Sequence, residues 1–191
     1  MWLKEGGVEH PLSDIELSVN CTYPTGVTKI IKFIAITIIG SVLAINAYAG
    51  TVAGKRAFAQ QNYGVALKEL GPAAKKGDRD AMFMLAQMHG SGFGVTKNMN
   101  KAVKLYGKAA DLGHVDAQKE YGSALALGDG IEKNAEEGLK WLMIASQEGN
   151  SGALAFAKRF AKYFPRTAIS TARRKAFKWR QEFKKNSQPG G

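Results

Sequence analysis

The sequence has little of the residue types that build disulfides, metal sites and nucleophilic centres. Its 191 residues include one cysteine, Cys21, and three histidines. A single cysteine cannot form a disulfide framework, and no cysteine remains for a catalytic or metal-binding role in the rest of the chain. His10, His89 and His114 share neither a helix face nor the spacing of metal ligands. We therefore predict no catalytic residue, no metal and no cofactor, since no serine has a credible base beside it in the pattern.

Two of the histidines have ordinary structural interpretations. His89 takes the position of a core aromatic residue in a periodic apolar segment, so it is expected to be packed. His114 directly follows Gly113 and is expected to lie in solvent.

Acidic residues are scarce at the C-terminal end. Residues 158–191 hold 11 lysines and arginines and one acidic residue, Glu182, in a chain of net charge +11. Such a segment indicates either a polyanion-binding surface or a solvated helix face. On a helix, one stripe predicts docking onto the last repeat with the basic residues facing outward; it consists of Ile169, Ala172, Ala176 and Trp179. The candidate polyanion-binding residues are Arg173, Arg174, Lys175, Lys178 and Arg180.

Long apolar runs are also few, and the clearest one covers residues 33–45. A positive flank precedes it and small residues follow it, which predicts a signal peptide over 27–49 and a periplasmic or secreted protein. If the signal is not cleaved, the alternative is an inner-membrane anchor. The polar stretch 1–26 is interpreted as an upstream leader from a mis-assigned start. The expected cleavage site is formed by Ala47 and Ala49.

Glycine is abundant, with 22 residues, and much of it recurs at a fixed period. A period of roughly 20–50 residues is typical of stacked repeat units. Here the spacing is 36 residues and is shared by three residue types. The series are Gly77, Gly113 and Gly149; Ala81, Ala117 and Ala153; and Asn62, Asn98 and Asn134.

Each unit contains two helical patterns joined by a glycine-containing turn. In the unit 81–116, Ala81, Leu85 and His89 lie on one face of a first helix. Asn98 is predicted to be the N-cap of a second helix, which Gly113 ends. Small residues are predicted where the two helices cross, namely Ala86 and Gly122 in first helices and Ala102 and Gly138 in second helices.

The pattern over about residues 50–163 resembles the Sel-one-like repeat, a relative of the tetratricopeptide repeat with a longer unit. The resemblance implies an all-α superhelix, a solenoid of about four antiparallel helix pairs counting the terminal cap. The predicted segments are units at 50–80, 81–116 and 117–152, a part-unit at 153–163, a basic capping helix at 164–184 and a disordered tail at 185–191.

The resemblance also implies a function, that of a non-enzymatic scaffold that binds another protein in the periplasm of a Gram-negative bacterium. The first helices are expected to line a concave face, with an exposed Phe83 as its best anchor. One alternative is a polyanion-binding module that uses the basic C-terminal helix for an anionic glycan, lipid or nucleic acid, although no specific nucleic acid is expected. Another is a β-lactam-binding enzyme, disfavoured because the paired cysteines of such relatives are absent. The candidate partner-binding residues are Phe83, Gln87, Lys119, Ser123, Arg159 and Lys162.

Overall fold

The computed structural model describes residues 49–187, and within them it contains eight helices and no strand. The predicted leader at 1–26, the predicted signal peptide up to residue 48 and residues 188–191 lie outside the described part. None of the described helices is long and apolar enough to cross a membrane. The helices are α1 (described from 49 to 59), α2 (Tyr63–Lys75), α3 (Arg79–Ser91), α4 (Met99–Asp111), α5 (Val115–Leu127), α6 (Ala135–Gln147), α7 (Ser151–Ala161) and α8 (Arg166–Ser187).

The periodic asparagines cap the second helix of each unit, as predicted. The side chains of Asn62, Asn98 and Asn134 accept hydrogen bonds from the backbone N–H three residues further on, at 3.3, 2.9 and 3.0 Å. Two of them also fasten the turn to the first helix, because the Asn98 N–H donates to the His89 carbonyl and the Asn134 N–H to the Leu125 carbonyl. One residue type therefore starts a helix and closes the loop before it.

The glycines of the turns have structural reasons for being glycine. Gly92 and Gly128 end α3 and α5 in the left-handed conformation, with φ of 83° and 82°. Gly130 also has a positive φ, and a Cβ there would lie 2.7 Å from the carbonyl carbon of Met99 in the preceding unit. These loops are helix–helix turns whose second glycine allows neighbouring units to touch.

Small residues lie where paired helices cross, as predicted. A Cβ on Gly122 of α5 would lie 2.9 Å from the Gly138 carbonyl oxygen, and a Cβ on Gly138 of α6 would lie 2.6 Å from the Gly122 carbonyl oxygen. The two backbones therefore touch at this crossing. Ala86 and Ala102, their counterparts in the preceding pair, are fully buried.

The last helix packs against α6, so the predicted docking stripe is confirmed. Ala172 and Ala176 are completely buried. The Trp179 ring meets the Trp141 ring edge to face, with centroids 5.2 Å apart. The basic capping helix therefore buries its small and aromatic stripe.

The expectation of a further helix pair at the C-terminal end is wrong, because α8 packs along α6 and not along α7. The face that α3 and α5 bury against their partner helices is thus open on α7. Leu154 is 42% exposed, whereas its counterparts Met82 and Gln118 are 9% and 1% exposed. Lys158 is exposed, whereas the equivalent residues Ala86 of α3 and Gly122 of α5 are small and buried.

Several predicted boundaries also need correction. The first helices begin at Arg79 and Val115, two residues before the predicted units, since their caps precede the periodic alanines. Residues 185–187 continue α8 and are not a disordered tail, because Phe183 stacks on Trp179 with centroids 4.8 Å apart and anchors the last turns.

Candidate protein-binding face

Three of the predicted partner-binding residues occupy the same position of successive first helices. Gln87 lies on α3, Ser123 on α5 and Arg159 on α7, each 36 residues after the one before. Gln87 and Ser123 are half-buried and Arg159 is exposed. We call this row of equivalent positions the first-helix face.

Ser123 lines a cavity of about 200 Å³ between α4 and α5. Burial raises the pKa of Tyr106 in its wall to about 12, so this phenol stays protonated and available as a hydrogen-bond donor near neutral pH. The walls consist of Met99, Val103, Tyr106, Glu120, Ser123, Ala124, Leu127 and Asp129.

Arg159 lines a second and larger cavity of about 410 Å³ at the end of α5 and along α7. We call it the α7 groove, and its walls are Leu127, Phe156, Arg159, Phe160 and Tyr163. Four of these wall residues stand 36 residues after Glu120, Ser123, Ala124 and Leu127 of the first cavity. Leu127 borders both cavities, so the two form a continuous repeated surface.

Phe83 does not serve as the exposed anchor that the sequence suggested. Its ring stacks on the His114 imidazole, with centroids 4.3 Å apart, and packs against the core. His114 was expected in solvent, but its side chain is only 15% exposed. It is the N-cap of α5, where its Nδ1 accepts the Ala117 N–H at 3.2 Å. Phe83 therefore belongs to the interface between two repeat units.

His114 is one member of a periodic set of caps that also joins the units. Asp78 and Asn150 occupy the same position and cap α3 and α7 in the same way. The Asn150 Nδ2 donates to Asp116 Oδ1 at 2.8 Å, and the His114 Nε2 lies 3.8 Å from Asp80 Oδ1. Burial lowers the pKa of His114 below its ordinary value of 6.5, while the Asp80 carboxylate opposes this shift.

The remaining two candidates lie outside the cavities. Lys119 forms an ion pair with Glu120, with Nζ and Oε1 2.6 Å apart. Lys162 is the exposed C-cap residue of α7, next to the α7 groove. His89 is packed as predicted, being 8% exposed, and burial lowers its pKa.

The basic residues of α8 divide into two groups. The Lys175 Nζ lies 2.6 Å from Glu136 Oε1 in the first turn of α6, and the Arg180 Nε lies 2.9 Å from Glu148 Oε1 at the C-terminal end of α6. Lys178 lies 3.8 Å from Glu182 on its own helix. Arg173 and Arg174 are exposed and form no ion pair within residues 49–187. Two of the five predicted polyanion-binding residues therefore help to dock α8.

Sequence reasoning identified Arg159 but missed the apolar walls of the α7 groove. The period contained the missing information, because the residues around Ser123 point to their equivalents in α7. Within the part of the chain that the structure describes, no cluster of three or more histidine, cysteine, aspartate or glutamate residues is suited to a metal ion.

The repeats match a known family. The Sel1 repeat family matches residues 79–114 and 115–150, which start with α3 and α5. Sel1 repeats generally mediate protein–protein interaction. No curated protein matches the chain significantly.

Solved structures agree with this assignment. A Sel1 repeat protein from Oxalobacter formigenes is 31% identical with a TM-score of 0.58, over 62% of this chain and 50% of that one. A protective antigen of uropathogenic Escherichia coli strains, which displays an SLR fold, is 21% identical with a TM-score of 0.68, over 76% of this chain and 34% of that one. This chain thus spans a third to a half of the length of those two proteins. Residues 79–150 therefore form two Sel1 repeats, within an all-α solenoid that has the SLR fold.

Proposed function

We propose that this protein is an exported, non-enzymatic scaffold of the bacterial cell envelope that binds another protein through its first-helix face. One observation carries the proposal, namely the two adjoining cavities that repeat at equivalent positions and share Leu127. Their walls include half-buried and exposed side chains such as Ser123 and Arg159, which a partner can reach. Export is supported by the sequence pattern at 27–49 alone.

Site-specific photo-crosslinking in the native cell tests the binding function. A benzoylphenylalanine replaces Ser123 on the first-helix face in one variant, and exposed Lys68 on α2 in the control. We expect a discrete crosslinked protein partner from position 123 and none from position 68. Absence of a crosslink from position 123, or the same product from both positions, contradicts the proposal.

The location is tested separately. Cell fractionation with N-terminal sequencing of the mature protein should recover it from the envelope fraction, with Gly50 as its first residue. A cytoplasmic protein that retains residues 27–49 contradicts export.

One observation favours the alternative polyanion-binding function: Arg173 and Arg174 on α8 are exposed and form no ion pair within residues 49–187. Together they contribute two of the positive charges of a chain of net charge +11. If they bind a polyanion, the double variant Arg173→Gln with Arg174→Gln elutes from heparin at clearly lower salt, with a shallower salt dependence of binding. The matched control is Lys68→Gln with Lys104→Gln, which removes two exposed lysines from other helices. Equal elution of the two double variants excludes a specific role for α8.

A further inference from the structure

We propose that the α7 groove binds an acidic segment of the partner protein, holding one bulky apolar side chain while Arg159 pairs with a carboxylate beside it. The inference rests on the proposed function and specifies the chemistry of its partner. It is carried by the lining of the groove and by the positive charge around it, which forms no ion pair within residues 49–187.

The groove has the size and lining to hold an apolar side chain. Phe156 and Phe160 are half-buried in its wall, with ring centroids 5.6 Å apart, and so are held in place by packing. Leu127 and Tyr163 at its rim are 60% and 79% exposed. Large apolar side chains that stay this exposed around a cavity are typical of interaction sites, because burying them removes apolar surface from water.

The charge around the groove is positive and unpaired. Residues 151–181 contain no acidic residue. Arg159, Lys158 and Lys162 are exposed and form no ion pair within residues 49–187. The Arg159 guanidinium is a wall of the groove itself, and a guanidinium can bind a carboxylate through two parallel hydrogen bonds.

The cavity that Ser123 lines in the preceding unit has different side chains at the equivalent positions. The repeat pattern alone therefore does not explain the aromatic and basic lining of the α7 groove. There the matching positions hold Glu120, Ser123 and Ala124, and Glu120 is paired with Lys119. In α7 the same positions hold Phe156, Arg159 and Phe160. The change from acidic and small to aromatic and basic occurs on the helix that α8 leaves uncovered.

The charge balance also decides between an acidic segment and other occupants. A second copy of this chain would bring net charge +11 against an already basic surface, which opposes self-association. An anionic membrane could contact the exposed rim residues Leu127 and Tyr163, but it would not fill the recess that Phe156 and Phe160 line as one inserted side chain does. A recess beside one arginine suits a peptide that carries an apolar residue next to an acidic one.

A peptide selection tests the inference. A random library of 12-residue peptides is panned on the full chain, with counter-selection on the Arg159→Glu variant. We expect enriched peptides of net negative charge that contain Leu, Phe, Trp or Met. Their affinity, measured by fluorescence anisotropy, should fall at least tenfold in Arg159→Glu and clearly in Tyr163→Ala.

Lys68→Glu is the matched control, since it makes the same change from a positive to a negative charge at an exposed position of α2. It should stay within about twofold of the unaltered protein, and circular dichroism confirms that each variant is folded. Selection without enrichment, enriched peptides without acidic bias, or equal weakening by Lys68→Glu overturns the inference. Binding of 30% phosphatidylglycerol vesicles that Arg159→Glu abolishes, without peptide binding, overturns it in favour of a membrane.

The two proposals fail in different ways. A crosslinked protein at position 123 without selected acidic peptides leaves the protein-binding function intact and removes only the inferred chemistry. Loss of both results removes the function as well.

Discussion

The cap residues at positions 78, 114 and 150 begin the first helices, and two of them also contact the preceding unit. Asp78, His114 and Asn150 each accept the same backbone N–H at the start of a first helix. Asn150 is also hydrogen-bonded to the preceding unit, through Asp116, and His114 lies close to Asp80 of the unit before it. Among the three, only the imidazole changes its charge near neutral pH. The chain therefore carries a titratable cap between its two Sel1 repeats.

We predict that stability falls as the pH is lowered from 7 to 5. Burial depresses the folded-state pKa values of His114 and His89 below 6.5, so the unfolded chain takes up protons first as the pH falls, and this lowers the free energy of the unfolded state relative to the folded state. His114→Asn keeps a cap of the type found at Asn150 and should make the slope shallower, as measured by urea unfolding at pH 7, 6 and 5. His89, whose pKa burial also lowers, contributes to the slope that remains. An unchanged slope in His114→Asn shows that His114 does not contribute.

Gly113 differs from its periodic equivalents in having a side chain against it. It and Gly149 both have positive φ, of 79° and 94°, so alanine at either position incurs left-handed strain of about 1–2 kcal/mol. A Cβ on Gly149 meets nothing within 4 Å, but one on Gly113 would lie 2.4 Å from Phe183 Cζ of α8. We predict that Gly113→Ala lowers the free energy of unfolding more than Gly149→Ala. Adding Phe183→Ala to both should remove the difference, and a difference that persists assigns it elsewhere.

At the scale of helices, the close contact of α5 and α6 reverses the usual stabilising effect of replacing a helical glycine by alanine. Gly64 of α2 has nothing within 4 Å of a built Cβ, so Gly64→Ala should stabilise by up to about 1 kcal/mol through helix propensity. Gly122→Ala has the same propensity gain, but its methyl group would lie 3.0 Å from the Leu142 nitrogen. We predict that it destabilises by about 1–3 kcal/mol, since the backbones must separate. Chemical unfolding measures both, and equal signs contradict the close crossing.

The helices themselves followed from the sequence because period, caps and turns agree at several equivalent positions. The capping asparagines and the small residues at the crossings are local signals, and both were predicted correctly. The cap role of His114 was missed although its equivalents Asp78 and Asn150 are typical caps 36 residues away on either side. The α7 groove was missed for a different reason. Its walls combine Leu127 of α5 with side chains of α7, and that juxtaposition is a tertiary feature that a pattern within one helix does not show.

At the scale of the whole molecule, α8 ties the end of the chain to the middle of the array. It buries Ala176 against the core, bridges to Glu136 and Glu148 at both ends of α6, and reaches Gly113 between the two Sel1 repeats. A helical array is stabilised by contacts between neighbouring units, and its terminal element protects an otherwise open end. Docking of α8 should therefore contribute to the stability of α6 and leave α7 open.

A lysine placed at a buried position of α8 should act differently from a lysine placed at an exposed position of the same helix. Ala176→Lys puts an ammonium group at a completely buried position, whereas Gln181→Lys adds the same charge at an exposed one. The first should lower the free energy of unfolding by about 1–3 kcal/mol, because the charge must be desolvated or the helix must detach. The second should change it by less than about 0.5 kcal/mol. Because detachment frees only α8, trypsin should cleave within 166–187 of the Ala176→Lys variant while residues 79–150 stay resistant. Equal protection of α8 in both variants shows that α8 does not dock through Ala176.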